Sequence, residues 1–158
     1  MAARFWGDKE RLPGSFIIRP VEPNDRPRWE PLWRDYQTNR TIPDDVTEVT
    51  WRRFLDSQEP MHALVAERED ALIGFAHYLF HRSTGRIESI CYLQDMFTAE
   101  AARRLGVARA LIEAVRTHAE GVGASRVYWH TGEKNTAARA LYDQVATLTG
   151  FVQYRQPV

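Results

Sequence analysis

The chain has 158 residues, of which 44% are hydrophobic and 27% are charged. This composition is close to the average of globular proteins and excludes an intrinsically disordered chain. The 21 basic and 21 acidic side chains give a formal net charge of zero, so no global field attracts nucleic acid or an anionic membrane.

The N-terminal end is expected to form a flexible leader, residues 1–15, that ends at the breaker Leu12-Pro13-Gly14, although Phe5 and Trp6 could dock on the rest of the chain. This stretch is too charged for a signal peptide, and no segment reaches the ~20 apolar residues of a membrane span. A cytoplasmic location is therefore expected. Residues 16–158 are predicted to form one folded domain.

The first half is predicted to contain one strand, two helices and a hairpin. In chain order, these are a strand at 16–19 closed by Pro20, a helix from Asn24 or Asp25 to about Arg40, a helix at 47–56 capped by Thr47, and strands at 61–67 and 71–80 joined by a turn at 68–70. Between the helices lies an acidic cluster, Asp44, Asp45 and Glu48. It is typical of a solvated loop but could also attract a cationic substrate.

The second half alternates strands and helices. The predicted elements are a polar loop at 81–86, a long central strand at 88–98, a helix from Gly106 to the break at 121–123, a strand at 126–130, a helix at 135–145 and a terminal strand at 150–154. In the central strand, alternation puts Tyr92, Gln94, Met96 and Thr98 on one face and Cys91, Leu93, Asp95 and Phe97 on the other, unless a bulge breaks the count. This order of elements indicates an α+β or α/β architecture around one mixed sheet.

A glycine loop with three arginines opens the longer of these helices. The pattern is Arg103-x-x-Gly106-x-Ala108. The first N–H groups of a helix lack intrahelical partners and lie at the positive end of its dipole, so a basic helix start favours a bound anion. Gly106 and Ala108 allow close approach of the backbone, while Arg103, Arg104 and Arg109 supply charge. The loop therefore predicts a pyrophosphate site, although a helix entrance with surface arginines is the alternative.

The sequence gives only weak signals for thiol or metal chemistry. Cys91, the single cysteine, excludes an intramolecular disulfide and is expected to be buried and inert. His77, His81 and His130 lack the spacing of a metal site, so no metal is expected.

Two segments resemble a known family. LQDMFTAEAARRLGVARALIEAV is similar to the acetyl-CoA-binding motif of the GNAT superfamily of N-acetyltransferases, and YWHTGEKNTAARALYDQVATLTGF is similar to the motif that follows it. The likeness spans roughly 17–154, and HRST, YLQDMF and Asn-x-x-Ala-x-x-Leu-Tyr are most similar to the diamine and polyamine acetyltransferase-like branch. A second kinship is with protein-acetylating members. The resemblance implies a single GNAT-like α+β (α/β mixed) domain whose sheet of about six to seven strands is flanked by about four helices.

The resemblance also implies how acetyl-CoA, the cosubstrate, is held. The end of the central strand would pair with the pantetheine arm, the glycine loop would hold the pyrophosphate, and the last helix would contact the arm. The implied cofactor-binding residues are Met96, Phe97, Thr98, Arg103, Arg104, Leu105, Gly106, Val107, Ala108, Arg109, Asn135, Ala138 and Tyr142. A homodimer is compatible with the resemblance, whereas neither nucleic acid nor membrane is an expected partner.

Tyr142 is the implied catalytic residue. A departing thiolate resembles a cysteine thiolate of pKa ~8.5, so a phenol of pKa ~10 beside it can donate its proton and be restored by solvent. Spacing alone favours a core tyrosine on a buried helix face, and only the family resemblance reverses that preference. An alkyl amine has a pKa near ~10.4 and must lose a proton before it attacks the thioester.

The acceptor site departs from the polyamine branch. Gln94 stands where those enzymes have a carboxylate, and Gly85 stands where they have an aromatic residue. An amide cannot act as a base, so Glu88, Asp95, His130 and a water held by Gln94 all remain candidates for that role. The residues expected to contact the acceptor are Gln94, Trp129, His130 and Asp44.

Three functions remain in competition. The first is acetyl transfer from acetyl-CoA directly to a primary amine of a small molecule, with Tyr142 as general acid. The second is acetylation of a protein lysine or N-terminus. The third is a catalytically silent acyl-CoA-binding module, suggested by Gln94.

Overall fold

The structure is a computed structural model, and it describes residues 15–38 and 41–158. Its strands and α-helices, in chain order, are β1 Ile17–Pro20, α1 Arg26–Tyr36, α2 Asp44–Leu55, β2 Met61–Arg68, β3 Ala71–Ser83, β4 Arg86–Thr98, α3 Val107–Gly121, β5 Val127–Tyr128 and α4 Thr136–Val145. Short 3₁₀ turns lie at Pro23–Asp25 and Glu100–Ala102. The proposed leader, including Phe5 and Trp6, lies outside the described residues apart from Ser15.

The strands form one mixed sheet in the order β1-β2-β3-β4-β5. All neighbours are antiparallel except β4 and β5, which run parallel. The predicted α+β class and the four helices are confirmed. Within residues 15–38 and 41–158 the sheet has five strands, so the expected six or seven was too many.

The two faces of the sheet carry two separate cores. Helix α3 presents an apolar stripe to one face, and that core contains Leu64, Ala76, Cys91, Leu93, Val107, Leu111 and Val115. Helices α1 and α2 cover the other face with an aromatic core of Trp29, Trp33, Trp51 and Phe75, joined by Leu32, Val65 and Leu72. Three tryptophans on one face make α1 and α2 a rigid cover because large rings bury much apolar area.

Both N-terminal helices have different bounds from those predicted. Helix α1 ends at Tyr36 rather than near Arg40, because the Gln37 N–H bonds back to the Arg34 carbonyl and the Gln37 side chain accepts from the Ile42 N–H at 2.8 Å, which closes the turn. Helix α2 begins at Asp44, three residues before the predicted start. Asp44 and Asp45 therefore lie in its first turn, where the helix dipole favours acidic side chains, rather than in a loop.

The turn between β2 and β3 lies where it was predicted. Glu69 and Asp70 both have positive φ, as a two-residue hairpin turn requires. The predicted loop at 81–86 was too long, because β3 continues to Ser83 and β4 starts at Arg86, which leaves only Thr84 and Gly85 between them.

A β-bulge interrupts the pairing of β3 with β4. His77 pairs with Asp95 and Tyr78 pairs with Leu93, so Gln94 has no partner opposite it on β3. Beyond the bulge the faces exchange: Met96 packs on the α3 core together with Leu93, whereas Phe97 packs on the aromatic core. The alternation predicted for this strand is therefore wrong beyond Leu93, because the strand contains a bulge, which is the exception named with that prediction.

Two other predicted strands differ from what the structure shows. The strand at 126–130 is paired only at Val127 and Tyr128. The predicted strand at 150–154 is not formed, since residues 146–158 have no regular structure and Phe151 and Tyr154 are 92% and 93% exposed. An apolar pattern alone cannot make a strand where no neighbouring strand supplies hydrogen bonds.

Candidate active site

The start of α3 is shaped for an anion. Gly106 is its N-cap and has φ +84°, a left-handed conformation that a residue with a Cβ adopts only at a cost. The first N–H bonded within the helix is that of Ala110, to the Gly106 carbonyl, and the first turn contains no acidic residue. A Cβ on Gly106 would meet no atom within 4 Å, so the loop's outer side is open.

The three arginines of this loop separate into two groups. Arg103 and Arg104 are exposed, and neither makes a side-chain hydrogen bond or ion pair within the described chain. Arg109 instead donates to Oε1 of Gln144 on α4 at 2.5 Å and so joins the two helices. Arg104 adds a second left-handed backbone position, with φ +64°.

A close backbone contact holds the end of β4 against this loop. A Cβ on Gly74 would lie 2.7 Å from the Phe97 carbonyl oxygen and 3.1 Å from the Val107 side chain. Glycine at this position lets β3, the end of β4 and the first residue of α3 come together.

Among the strands of the described residues, none pairs with one edge of β4 beyond Tyr92. Its pairing with β5 ends at Tyr92 and Tyr128, while β4 itself continues to Thr98. The unpaired segment includes Met96, Phe97 and Thr98, whose backbone groups can hydrogen-bond an extended ligand as a strand would. The open glycine loop, the free helix N–H groups and this strand edge together fit the pyrophosphate and pantetheine arm of acetyl-CoA.

Helix α4 begins after Asn135 and carries Tyr142, whose side chain packs against the α3 core. The Asn135 side chain caps the helix by accepting from the Ala138 N–H at 3.4 Å. Tyr142 is half-buried, and its ring packs edge-on against Trp129 with centroids 5.3 Å apart. Burial raises the pKa of Tyr142 above 10. No described residue hydrogen-bonds its hydroxyl, which leaves that group available to a ligand.

A cavity of about 370 Å³ lies on the opposite face of β4, beneath α1 and α2. This volume is within the range of small-molecule sites. The walls are largely apolar: Trp33, Ile42, Pro43, Val46, Phe54, Met61, Tyr78 and Leu79, with Thr41, Thr50, His77, Gln94 and Asp95 as the polar lining groups. Asp95 is the single acidic residue among them. The bulge at Gln94 therefore lies where the cavity meets β4.

Asp95 is held by two donors from different elements. The Tyr36 hydroxyl donates to Oδ1 at 3.0 Å, and Nδ1 of His77 lies 3.2 Å from Oδ2. The carboxylate is only 7% exposed. On the far side of the imidazole, the Trp29 indole N–H donates to Nε2 at 3.0 Å. Burial lowers the pKa of His77, against the opposing effect of Asp95.

Of the four predicted acceptor contacts, only one lines this cavity. Gln94 lines it. Trp129 packs on Tyr142 on the α3 face, and exposed His130 lies 3.4 Å from the Tyr92 hydroxyl. Asp44 is not a lining residue, and its exposed carboxylate pairs with Arg34 at 2.6 Å. Of the candidate bases among side chains, Asp95 lines the cavity, whereas Glu88 borders a different surface groove.

The structure also shows where the remaining nucleophilic and metal-binding candidates lie. Cys91 is fully buried, and burial raises the pKa of its thiol to about 12, as expected of an inert thiol. No group of three or more His, Cys, Asp or Glu side chains in the described part of the chain could hold a metal. Within that part, no helix is both long and apolar enough to cross a membrane.

The polar chain that supports Asp95 was not predicted from the sequence. His77 was considered only as a candidate metal ligand, and neither Tyr36 nor Trp29 was given a polar role. A polar signal was nevertheless present, since tyrosine and tryptophan usually place their O–H or N–H on a partner when buried.

Comparisons with known proteins agree on one family. A profile of the acetyltransferase (GNAT) family matches residues 26–146. The D-amino-acid N-acetyltransferase HPA3 of Saccharomyces cerevisiae is 37% identical over 145 residues, which cover 89% of each chain. The histone acetyltransferase MCC1 of Arabidopsis thaliana is 28% identical over 83% of this chain, and the match spans 59% of that longer protein.

Among solved structures, the aminoglycoside acetyltransferase AAC(6')-Iy, in complex with the bisubstrate analogue CoA-S-monomethyl-acetylneamine, superposes with a TM-score of 0.80. The superposition covers 91% of this chain and 99% of that one at 20% identity, a level at which the likeness shows the fold. A second structure of AAC(6')-Iy, with CoA, gives a TM-score of 0.79.

Proposed function

Because the chain belongs to the GNAT family and is an acetyl-CoA-dependent N-acetyltransferase, we propose that its acceptor is the primary amine of a small molecule bound in the cavity beneath α1 and α2. The observation that carries this proposal is the position of the cavity. Its lining includes Gln94, the bulge residue of the strand whose free edge and adjoining glycine loop fit acetyl-CoA.

Acetyl-CoA supplies an acetyl group activated as a thioester. Arg103 and Arg104, with the free N–H groups of α3, would hold its pyrophosphate, and the backbone of 96–98 would hold its extended arm. Asn135 and Ala138 would contact the arm from α4. These assignments are supported by the open side of Gly106 and by the lack of competing side-chain partners for Arg103 and Arg104 among residues 15–38 and 41–158.

The transfer needs an acid for the departing sulfur. The acceptor loses a proton to become a free amine, its nitrogen bonds to the acetyl carbon, the carbon–sulfur bond breaks, and the nitrogen sheds its second proton to solvent. Tyr142 would donate its proton to the thiolate and recover one from water. This role is supported by its half-buried ring and by its hydroxyl, which no residue in the described part of the chain hydrogen-bonds.

The apolar walls favour an amine with a hydrophobic body. The names of relatives widen the choice to D-amino acids and aminoglycosides, and the motif resemblance adds diamines. MCC1, a histone acetyltransferase by name, keeps a protein lysine as the second candidate, although a cavity of about 370 Å³ beneath two helices suits a small amine better than a protein chain.

Release of CoA thiol across an amine panel tests the proposal. The panel contains 2-phenylethylamine, butylamine, 1,4-diaminobutane, D-phenylalanine, neamine and a lysine-containing histone peptide. We expect turnover with at least one small amine and little with the peptide. Turnover confined to the peptide would replace this function by protein acetylation, and CoA binding without any turnover would overturn both.

A further inference from the structure

Asp95 is the single acidic residue among those that line the cavity. Burying a carboxylate costs free energy unless donors satisfy it. It has two donors, Tyr36 and His77, one for each oxygen. A carboxylate can accept about four hydrogen bonds, so Asp95 keeps acceptor capacity for a further donor.

The hydrogen-bond chain fixes the tautomer of His77. An indole N–H can only donate, so Nε2 of His77, which receives it from Trp29, carries no proton. A neutral imidazole then has its single proton on Nδ1, which faces Oδ2 of Asp95. His77 has therefore no free lone pair with which to act as a base, and its one N–H is committed to Asp95.

The surroundings of the imidazole leave it no alternative orientation. Its ring stacks on Phe75 with centroids 4.3 Å apart and packs against Phe54 at 4.5 Å, with Trp33 at 5.2 Å. The side chain of His77 is only 3% exposed. Packing on this scale holds the ring, and through it the carboxylate, in one direction.

We propose that His77, locked as its Nδ1–H tautomer by the Trp29 indole, is a positioning residue that aims the Asp95 carboxylate into the cavity, where it receives the ammonium group of the acceptor. This inference rests on the proposed function for the identity of the cavity's occupant. A charge-assisted hydrogen bond to a buried carboxylate gives strong and directional binding. The bulge at Gln94 makes this possible, because it turns Asp95 to the cavity side.

Calorimetric binding of 2-phenylethylamine tests the proposal without requiring turnover. The probe combines an ammonium with an apolar body, as the carboxylate and walls require. Two isosteric variants separate shape from hydrogen bonding: H77N retains an N–H near the position of Nδ1, whereas H77L does not. We expect H77L to weaken amine binding about tenfold and H77N to restore most of it. Binding of acetyl-CoA should be equal in both.

A double-mutant cycle distinguishes positioning from a merely structural role. In D95N, which keeps the shape and removes the charge, amine binding should fall, and adding H77L should cause little further loss. An equal loss from H77L in both backgrounds would overturn the proposal. H81L serves as the matched control, since His81 lies on the same strand outside the cavity and bonds to Tyr128.

The tautomer provides a readout that is independent of any ligand. The ¹⁵N shifts of His77 should show the Nδ1–H form in the wild-type protein between pH 5 and 9, and W29F should allow a mixture. An Nε2–H form or an imidazolium would overturn the proposal even if amines are acetylated. Conversely, the predicted tautomer and amine binding without acetyl transfer would leave the inference standing and contradict the proposed function.

Discussion

The hydroxyl oxygen of Thr47 accepts a hydrogen bond from the indole Nε1 of Trp33 at 3.2 Å. Thr47 lies on α2 and Trp33 on α1, and both are buried. The bond therefore joins the two helices that cover the cavity. Thr47 was predicted to cap α2, but it lies inside the helix because α2 starts at Asp44. Its side chain instead forms a tie between α2 and α1.

Replacing Thr47 with valine should destabilise the protein. Valine has nearly the same shape, so the change removes the acceptor and leaves the Trp33 N–H buried without a partner, at a cost of about 1–3 kcal/mol. Urea unfolding measures this loss. T117V, at an exposed threonine on α3, is the matched control and should change stability little. Equal effects of the two substitutions would contradict the importance of the tie.

Alanine at Gly106 should impair acetyl-CoA binding. The left-handed φ costs a residue with a Cβ about 1–2 kcal/mol, and the added methyl group projects into the open side of the loop. G123A is the matched control, since Gly123 also has a left-handed φ, +75°, and open space but lies beyond the other end of α3. Both variants should lose stability, and only G106A should raise the KM for acetyl-CoA. A raised KM in both would mean that stability alone is responsible.

Loss of Arg103 should weaken CoA binding and leave pantetheine binding unchanged. Because a guanidinium contacts phosphate by charge-assisted hydrogen bonds, we expect R103A to bind CoA about tenfold less tightly. Titration calorimetry with CoA and pantetheine measures the difference. R116A removes an arginine of α3 that pairs with Glu113 and Glu120, and it should not alter either affinity. Equal losses for CoA and pantetheine in R103A would exclude a pyrophosphate contact.

Removing the Tyr142 hydroxyl should lower kcat at all pH values. General acid catalysis typically contributes at least about 100-fold, and Y142F loses it. Because burial raises the pKa of Tyr142, the wild-type enzyme should keep this acid protonated beyond pH 10, and any fall in kcat from its ionisation should lie above that pH. The pH profile of kcat measures both effects. Y154F, at a fully exposed tyrosine, is the control, and a wild-type profile in Y142F would remove Tyr142 as proton donor.

Stability should fall as the pH falls from 6.5 to 4. Burial and nearby His118 lower the pKa of His62 from 6.5 to about 4, so between these values the unfolded chain binds a proton that the folded protein does not. Acid therefore favours unfolding in this window, and the contribution is fully present above pH 6.5. Burial lowers the pKa of His118 and His77 as well, with the same sign.

Phenylalanine at position 62 tests this assignment. The His62 ring stacks on Tyr78 with centroids 5.3 Å apart, and H62F keeps a ring that cannot be protonated. The fall in Tm between pH 7 and 4.5 should be smaller in H62F than in the wild-type protein and unchanged in H81L. An unchanged slope in H62F would assign the acid sensitivity to other groups.

The parts of the fold that depend only on residues close together in the sequence were predictable. The apolar spacing from Val107 to Val115 predicted α3, and Gly106 marked its start, because a helix face and its N-terminal N–H groups are local properties. The turn at Glu69 and Asp70 was predictable for the same reason. The missing strand at 150–154 shows the limit, since a strand needs a partner that no local pattern guarantees.

The bulge at Gln94 shows why the candidate site was only partly predictable. An unpaired residue changes which face each later side chain occupies, and the sequence of β4 alone does not reveal where it falls. Asp95 was consequently assigned to the same face as Leu93. Its hydrogen bond to the Tyr36 hydroxyl on α1 shows that it lies on the other face.

The sequence by itself determined the family and predicted a pyrophosphate loop, because a helix N-terminus and its neighbouring arginines are local features of a short contiguous segment. Only the tertiary structure decided the cavity beneath α1 and α2 and the single carboxylate that lines it. The chain of Trp29, His77 and Asp95 joins residues 48 and 18 positions apart. In this protein these hydrogen bonds form because α1 packs over the bulged sheet, where burial makes every unpaired polar group costly and so selects the partners.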